Sequence, residues 1–365
     1  MFKKLLLLLL LIFSGTSFSQ NINLTDNAKV SIFTCGRGNE LYTTFGHTAI
    51  RIKDEASNLD VVYNYGAFDF NTDNFYLKFV KGDLQYFITA TSYDEFIYEY
   101  QMEKREVIEQ TLNFSLLQKQ ELFELLNASL FSEERSYTYK FIDRNCTTMV
   151  VEKINKMLGK NLIQKVDDKT ISYRELLYPY FENHFYYKLG INIIFGAKTD
   201  TKAEKLFLPS ELMHSLDKAK YNGKPIVTKT EKIVEGAELE SGFSFINSIY
   251  FIATLLIILF VTNNKKVFIK YLFIAGLLGL FLSMVGLYSL HKEVLWNYNA
   301  LVFNPLFVLL PFLKGNTLRK TISVCFCSIA IYTIIMISKP HLWLMSPFIF
   351  ANLYMLWKIQ KAERN

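Results

Sequence analysis

The chemistry this sequence could perform centres on Cys146. The run Asp143-Arg144-Asn145-Cys146-Thr147-Thr148 leads into Val150, Ile154, Met157 and Leu158 at helical spacing, and Gly159 stops the pattern. The thiol is thus expected in the first turn of a helix, where the dipole and unbonded N–H groups favour a thiolate. The same N–H groups can hold a developing oxyanion. A thiolate nucleophile needs a base, and outside the hydrophobic C-terminal third the histidines are His47, His184 and His214. His47 follows Gly46 and leads into Thr48-Ala49-Ile50-Arg51-Ile52, while His184 and His214 read as surface or packing residues. A third polar group should orient the imidazole from a neighbouring strand, and Asn64 in Tyr63-Asn64-Tyr65-Gly66 is the candidate. Other roles stay open: a Cys35–Cys146 disulfide would remove the nucleophile, and His47 could be a structural imidazole.

These residues need elements to carry them. Val30–Cys35, Thr48–Ile52, Val61–Tyr65 and Leu84–Thr89 read as strands. Ser115-Leu116-Leu117-Gln118 matches a capping box and opens a helix, with Leu116, Leu117, Phe123 and Leu126 as expected core contacts. A His at a strand edge facing a Cys at a helix start is the working core of papain-like folds. Here the His comes first in the chain, which is a circularly permuted order. The expected class is α+β: a circularly permuted papain-like (NlpC-like) domain over 20–165, followed by a C-terminal helical membrane bundle. No CxxC or HExxH occurs, so no metal site is expected. Cys35-Gly36-Arg37-Gly38-Asn39 lacks the Lys and following helix of a phosphate loop and reads as a tight turn, so no cofactor is expected either.

Composition places this domain at a membrane. The chain has 365 residues, a net charge of +6, 32 Phe and 22 Tyr, with few Gly and Pro, which excludes disordered and collagen-like classes. From Phe243 onward, 11 Lys and Arg face two acids, Glu293 and Glu363, so the basic excess lies in the hydrophobic third and gives no reason to expect nucleic acid. Lys3 and Lys4, the apolar run Leu5–Phe13 and Ser17-Phe18-Ser19 form a signal peptide over 1–19. Residues 166–242 read as an accessory subdomain and tether. Over 243–357, five apolar stretches follow: Phe243–Thr262, Tyr271–Leu290, Ala300–Leu313, Thr321–Ser338 and Leu342–Trp357. About five spans are expected, or four with the third stretch, broken at Asn304-Pro305 and Pro311, re-entrant. Loop lysines and arginines put the C-terminal tail, 358–365, in the cytoplasm. Polar His291, Trp296, Asn297 and Asn304 cluster at the entry to the third stretch, where polar groups in hydrocarbon usually serve a purpose.

The chain resembles the Lnb-type lipoprotein N-acyltransferases of Gram-negative bacteria. The matching pieces are Thr34-Cys35-Gly36, Leu41-Tyr42, Phe45-Gly46-His47-Thr48-Ala49-Ile50-Arg51, Asn64-Tyr65-Gly66, Phe68-Asp69-Phe70, Asn145-Cys146-Thr147-Thr148, Phe207-Leu208-Pro209, Trp296-Asn297 and Asn304-Pro305-Leu306. Where the family often has an Arg-Asp pair after the cysteine, Met149-Val150-Val151-Glu152 keeps only the acid. The resemblance implies an inner-membrane enzyme with a periplasmic catalytic domain. Such an enzyme takes an acyl chain from a membrane phospholipid through a Cys146 thioester. It passes the chain to the N-terminal amine of a diacylated lipoprotein, with His47 as base and no cofactor. It also implies substrate contacts for Tyr42, His291, Trp296, Asn297 and Asn304. Two other classes remain: a membrane-tethered papain-like peptidase or amidase acting on cell-wall peptides, and a non-catalytic membrane scaffold.

Overall fold

The structure is a computed structural model that describes residues 22–182, 184–237 and 242–363; the signal peptide expected at 1–19 lies outside the described residues. The elements run β1 (Lys29–Cys35), β2 (His47–Asp54), β3 (Leu59–Ala67), α1 (Phe75–Lys81), β4 (Gln85–Ser92), α2 (Tyr93–Met102), β5 (Val107–Leu112), α3 (Leu116–Phe131), β6 (Ser136–Thr138) and α4 (Cys146–Met157). There follow α5 (Tyr173–Leu177), α6 (Phe185–Ile194), α7 (Pro209–Lys218), the short hairpin β7 (Lys220–Tyr221) and β8 (Lys224–Pro225), and β9 (Val227–Val234). The apolar third holds α8 (Ile249–Val261), α9 (Lys265–Tyr288), α10 (Gly315–Met336) and α11 (Leu342–Ala362).

A seven-stranded sheet, ordered β6-β4-β3-β2-β1-β5-β9 and antiparallel throughout, organises the N-terminal part. Alternation along the strands sends neighbours to opposite faces. Ile32, Ile50, Ile52, Tyr63 and Tyr65 pack with Leu122, Phe123 and Leu126 of α3 and Val150 and Ile154 of α4. On the other face Phe33, Ala49 and Val62 pack with Phe96, Ile97 and Tyr100 of α2. Helices cover both faces, so the central strands are buried almost throughout, polar Ser31, Thr48 and Arg51 included.

The four expected strands, the Ser115 capping box and the Asn145-led helix all form. Leu116 and Leu117 do not join the core; Leu117 is 77% exposed. They occupy the turn that Ser115 caps at the surface, and the buried stripe starts one turn later at Leu122. The polar stretch read as a tether contributes β9, which closes the β5 edge of the sheet, because alternating Thr, Lys and Glu suit an exposed edge strand.

Among the described residues three helices, α9, α10 and α11, are long and apolar enough to cross a membrane. The first expected span shortens to α8, whose 13 residues reach only about 20 Å at ~1.5 Å per residue. The third is a pair of short helical segments, Lys292–Leu301 and Pro305–Phe312, bent by 43°; counted as one span it makes four. Pro305 lacks an N–H, and Asn304 caps the second segment by accepting from Leu306 N at 2.9 Å, so the helix restarts there. The five expected stretches all contain helical segments, of which three, or four with the bent pair counted once, are long and apolar enough to span.

The sheet domain is fastened to the helical part. Leu290 N donates to Lys81 O at 2.6 Å, and Gly196 N to Glu293 O at 2.7 Å. Lys198 Nζ lies 2.8 Å from Asp143 and 3.4 Å from the buried Glu293.

Candidate active site

Three local devices deliver the residues of the site. Asn145 is a reciprocal cap for α4: its Oδ1 accepts from Thr148 N at 3.0 Å, and Thr148 Oγ1 accepts from Asn145 N at 2.8 Å. Its Nδ2 donates to Phe141 O and Phe207 O, both at 2.9 Å, pinning the loop that carries Cys146. Gly46 has φ +78°, and a Cβ there would lie 2.4 Å from Cys35 O, so glycine alone permits the turn that brings His47 into β2. Thr48 Oγ1 and Thr147 Oγ1 are 3.0 Å apart, joining the start of β2 to the start of α4.

His47, Asn64 and Cys146 come together at this end of the sheet. His47 Nε2 lies 3.2 Å from Asn64 Oδ1. Asn64 Nδ2 donates to Val62 O at 3.4 Å, which assigns Oδ1 to the imidazole side. An amide oxygen only accepts, so the neutral ring carries its proton on Nε2, leaving Nδ1 as the basic nitrogen. Burial, the largest single influence, pushes the Cys146 thiol up, and no one neighbour cancels it; the His47 charge is the strongest of several that together do. A hydrogen bond with His47, the Thr48 N–H and the Thr147 hydroxyl act in the same direction, and the thiol falls below its ordinary value. For His47 burial disfavours the cation, yet the Cys146 charge and hydrogen bonds with Cys146 and Asn64 raise it above the ordinary imidazole value. Each group favours the charged form of the other.

Cys35 lies across from His47 in the β1–β2 register but is free, as is Cys146, so the disulfide reading does not hold here. Burial pushes the Cys35 thiol up to about 12.

A cavity of ≈ 310 Å³ opens beside His47 and Asn64, lined also by Tyr42, Thr43, Phe68 and Arg105 among others, while Cys146 is not part of its lining. Gly66, at a bulge in β3 with φ +98°, also lines it. A Cβ on Gly66 would sit 3.7 Å from Cys146 Cβ and 3.9 Å from the Tyr137 hydroxyl, so these two groups share the space above Gly66. Tyr137 is 3% exposed, and its hydroxyl has no hydrogen-bond partner among the described residues. Burial drives its phenol far up, so it stays a donor. Nothing in the sequence singles it out: it stands on a three-residue strand remote from any motif.

The remaining expected contacts lie elsewhere. Tyr42 lines the cavity, but His291, Trp296, Asn297 and Asn304 do not. His291 Nε2 bonds Phe79 O at 2.9 Å, and Asn297 Nδ2 donates to Ile193 O and Ile194 O, both at 2.8 Å. Asn304 caps the second half of the bent pair, and Trp296 is 84% exposed. Three of the four thus spend polar atoms on docking or on the turn. His184 stacks on Tyr187, and His214 Nδ1 lies 3.2 Å from Asp167, as packing and surface roles require.

No curated protein and no solved structure matches the chain. A family model does match, over residues 16–178, a range that holds His47, Asn64, Tyr137 and Cys146. This part of the chain belongs to the family of the Lnb N-terminal periplasmic domain.

Proposed function

We propose that the chain is a lipoprotein N-acyltransferase working through a Cys146 thioester. The observation that carries this reading is the paired Cys146 and His47, oriented by Asn64, in a domain fastened to membrane helices. The chain is a membrane protein with a periplasmic N-terminal domain. We read its C-terminus as cytoplasmic and its site as a circularly permuted papain-like one, since His47 and Asn64 on adjacent strands precede the helix-start cysteine.

His47 Nδ1 takes the Cys146 proton, and the thiolate attacks the ester carbonyl of a phospholipid. The carbonyl electrons move to oxygen, where the α4 N-terminus and the Tyr137 hydroxyl stand as donors. The C–O bond breaks, the lysolipid alkoxide takes the proton from His47, and an acyl thioester remains. The α-amine of a diacylated lipoprotein then attacks that carbonyl and gives a proton to His47. The C–S bond breaks, an amide forms, and His47 returns the proton to the Cys146 sulfur.

Mass analysis of lipoprotein N-termini tests the reading in cells lacking other N-acyltransferases. The wild-type chain should add one acyl group to the N-terminal amine, and Cys146→Ala should add none. Full acylation with Cys146→Ala would refute the mechanism.

A further inference from the structure

A ridge of rings runs from the cavity to the outer end of a membrane helix. Tyr42 and Phe68 line the cavity and stand 5.9 Å apart, centroid to centroid. Phe68 meets Phe70 at 4.9 Å, and Phe70 meets Phe75 of α1 at 5.0 Å. Phe75 stacks with Phe79 at 6.5 Å, and Phe79 meets His291 at 6.2 Å. Much of this surface is open: Tyr76 is 78% exposed and Leu77 63%, while Tyr42, Phe70, Phe79 and Val80 are exposed too. So large an apolar patch on a seven-residue helix needs a partner.

The partner follows from where α1 is held. Its last three carbonyls are bound by residues directly after the end of α9. Lys81 O accepts from Leu290 N at 2.6 Å, Val80 O from Ser289 Oγ at 2.8 Å, and Phe79 O lies 2.9 Å from His291 Nε2. Lys140 Nζ clamps the same joint, donating to Gly82 O at 3.0 Å and Leu290 O at 3.2 Å. Because α9 is long and apolar enough to span, its end fixes α1 at the depth of the bilayer surface. An amphipathic helix at that depth buries its apolar face among acyl chains. Lys78 stands in the last turn of the same helix, at the depth of the lipid phosphates, while Lys81 pairs with Asp83.

We propose that α1 lies in the periplasmic leaflet and that the ridge from Phe79 through Phe75, Phe70 and Phe68 to Tyr42 guides one phospholipid acyl chain from the bilayer to the cavity beside His47. This rests on the acyltransferase reading for what happens at the cavity, but the lipid contact itself requires no covalent step.

The test uses the full chain in nanodiscs containing phosphatidylethanolamine with a diazirine at the end of one acyl chain. After irradiation, mass mapping should find lipid adducts on 75–80, Phe70 and Tyr42. Adducts confined to 249–362 would overturn the proposal. Tyr76→Asp with Leu77→Asp should lower the yield at Tyr42 and Phe70 about tenfold, since the apolar area that seats α1 in the leaflet is removed. Tyr76→Phe with Leu77→Met should keep it, and equal loss in both pairs would also overturn the proposal. Cys146→Ala should retain every adduct. Failure of acyl transfer with adducts intact would therefore count against the chemistry at Cys146 and not against the ridge.

Discussion

His47 Nε2 stands 3.2 Å from the side-chain oxygen of Asn64, and the amide end of Asn64 is held by Val62 O. The pairing sets which imidazole nitrogen faces the thiol. Asn64→Ala should leave the fold intact and lower acyl transfer about ten- to a hundredfold, within the range of a disturbed general base. Asn64→Asp should keep the acceptor and retain more activity than Asn64→Ala. Rates measured across pH would check this, with the imidazole limb displaced in Asn64→Ala.

The sign of the Cys146 shift gives a reactivity profile. Burial raises the thiol, but the His47 charge and hydrogen bonds from His47, Thr48 and Thr147 together bring it below its ordinary value, and His47 lies above its own. Iodoacetamide should alkylate Cys146 at pH values below those that ionise a free thiol. Reactivity should fall only as acid protonates the thiolate. In His47→Gln the burial penalty stands without the cation, so the alkylation midpoint should move up. An unmoved midpoint would separate the two residues.

Tyr137→Phe removes a hydroxyl that makes no hydrogen bond among the described residues and faces the space beside Cys146. Stability should hold or rise slightly, because a buried polar group is lost. Acyl transfer should fall about a hundredfold if the hydroxyl serves the oxyanion. Thermal unfolding and single-turnover rates separate the two effects.

Gly46→Ala should damage the fold as well as the site. Its φ of +78° and the 2.4 Å approach to Cys35 O force the β1–β2 connection apart. A cost of about 2 kcal/mol or more is expected from the backbone alone, with His47 displaced. Limited proteolysis of the periplasmic domain should show earlier cleavage.

At the junction, Lys198 neutralises Glu293, whose side chain is 2% exposed, and helps hold the Asp143 carboxyl down at about 2. Lys198→Ala would strand a buried carboxylate and should cost about 3 to 5 kcal/mol of docking. Adding Glu293→Gln should recover part of it. Protease accessibility between the sheet domain and α9 is the readout.

The site was legible where local rules govern. Asn145 before an apolar helical period, and Gly46-His47 before an alternating strand, name an element and its end, and both form. Asn64 could be chosen because strand pairing puts β3 beside β2. Tyr137 could not, since its nearness to Cys146 arises from β6 joining the far edge of the sheet. β9 was hidden for the opposite reason: an exposed edge strand carries the polar residues that mark a linker. The Asn and His cluster before the third stretch signalled constraint, but sequence does not distinguish a substrate contact from a carbonyl 104 residues away, as Asn297 finds at Ile193. Between five spans and four the sequence could not decide, because Asn304-Pro305 breaks one helix and Ser248 starts another late.

The central claim is an acyl group on the sulfur of Cys146. Purified full-length chain should be incubated with phospholipid in the absence of any lipoprotein, digested and weighed. The Cys146 peptide should gain the mass of one acyl chain, lose it to neutral hydroxylamine, and transfer it to a diacylated lipoprotein peptide added later. An unmodified Cys146 peptide, alongside acyl transfer that proceeds normally once the lipoprotein is present, would contradict the thioester mechanism.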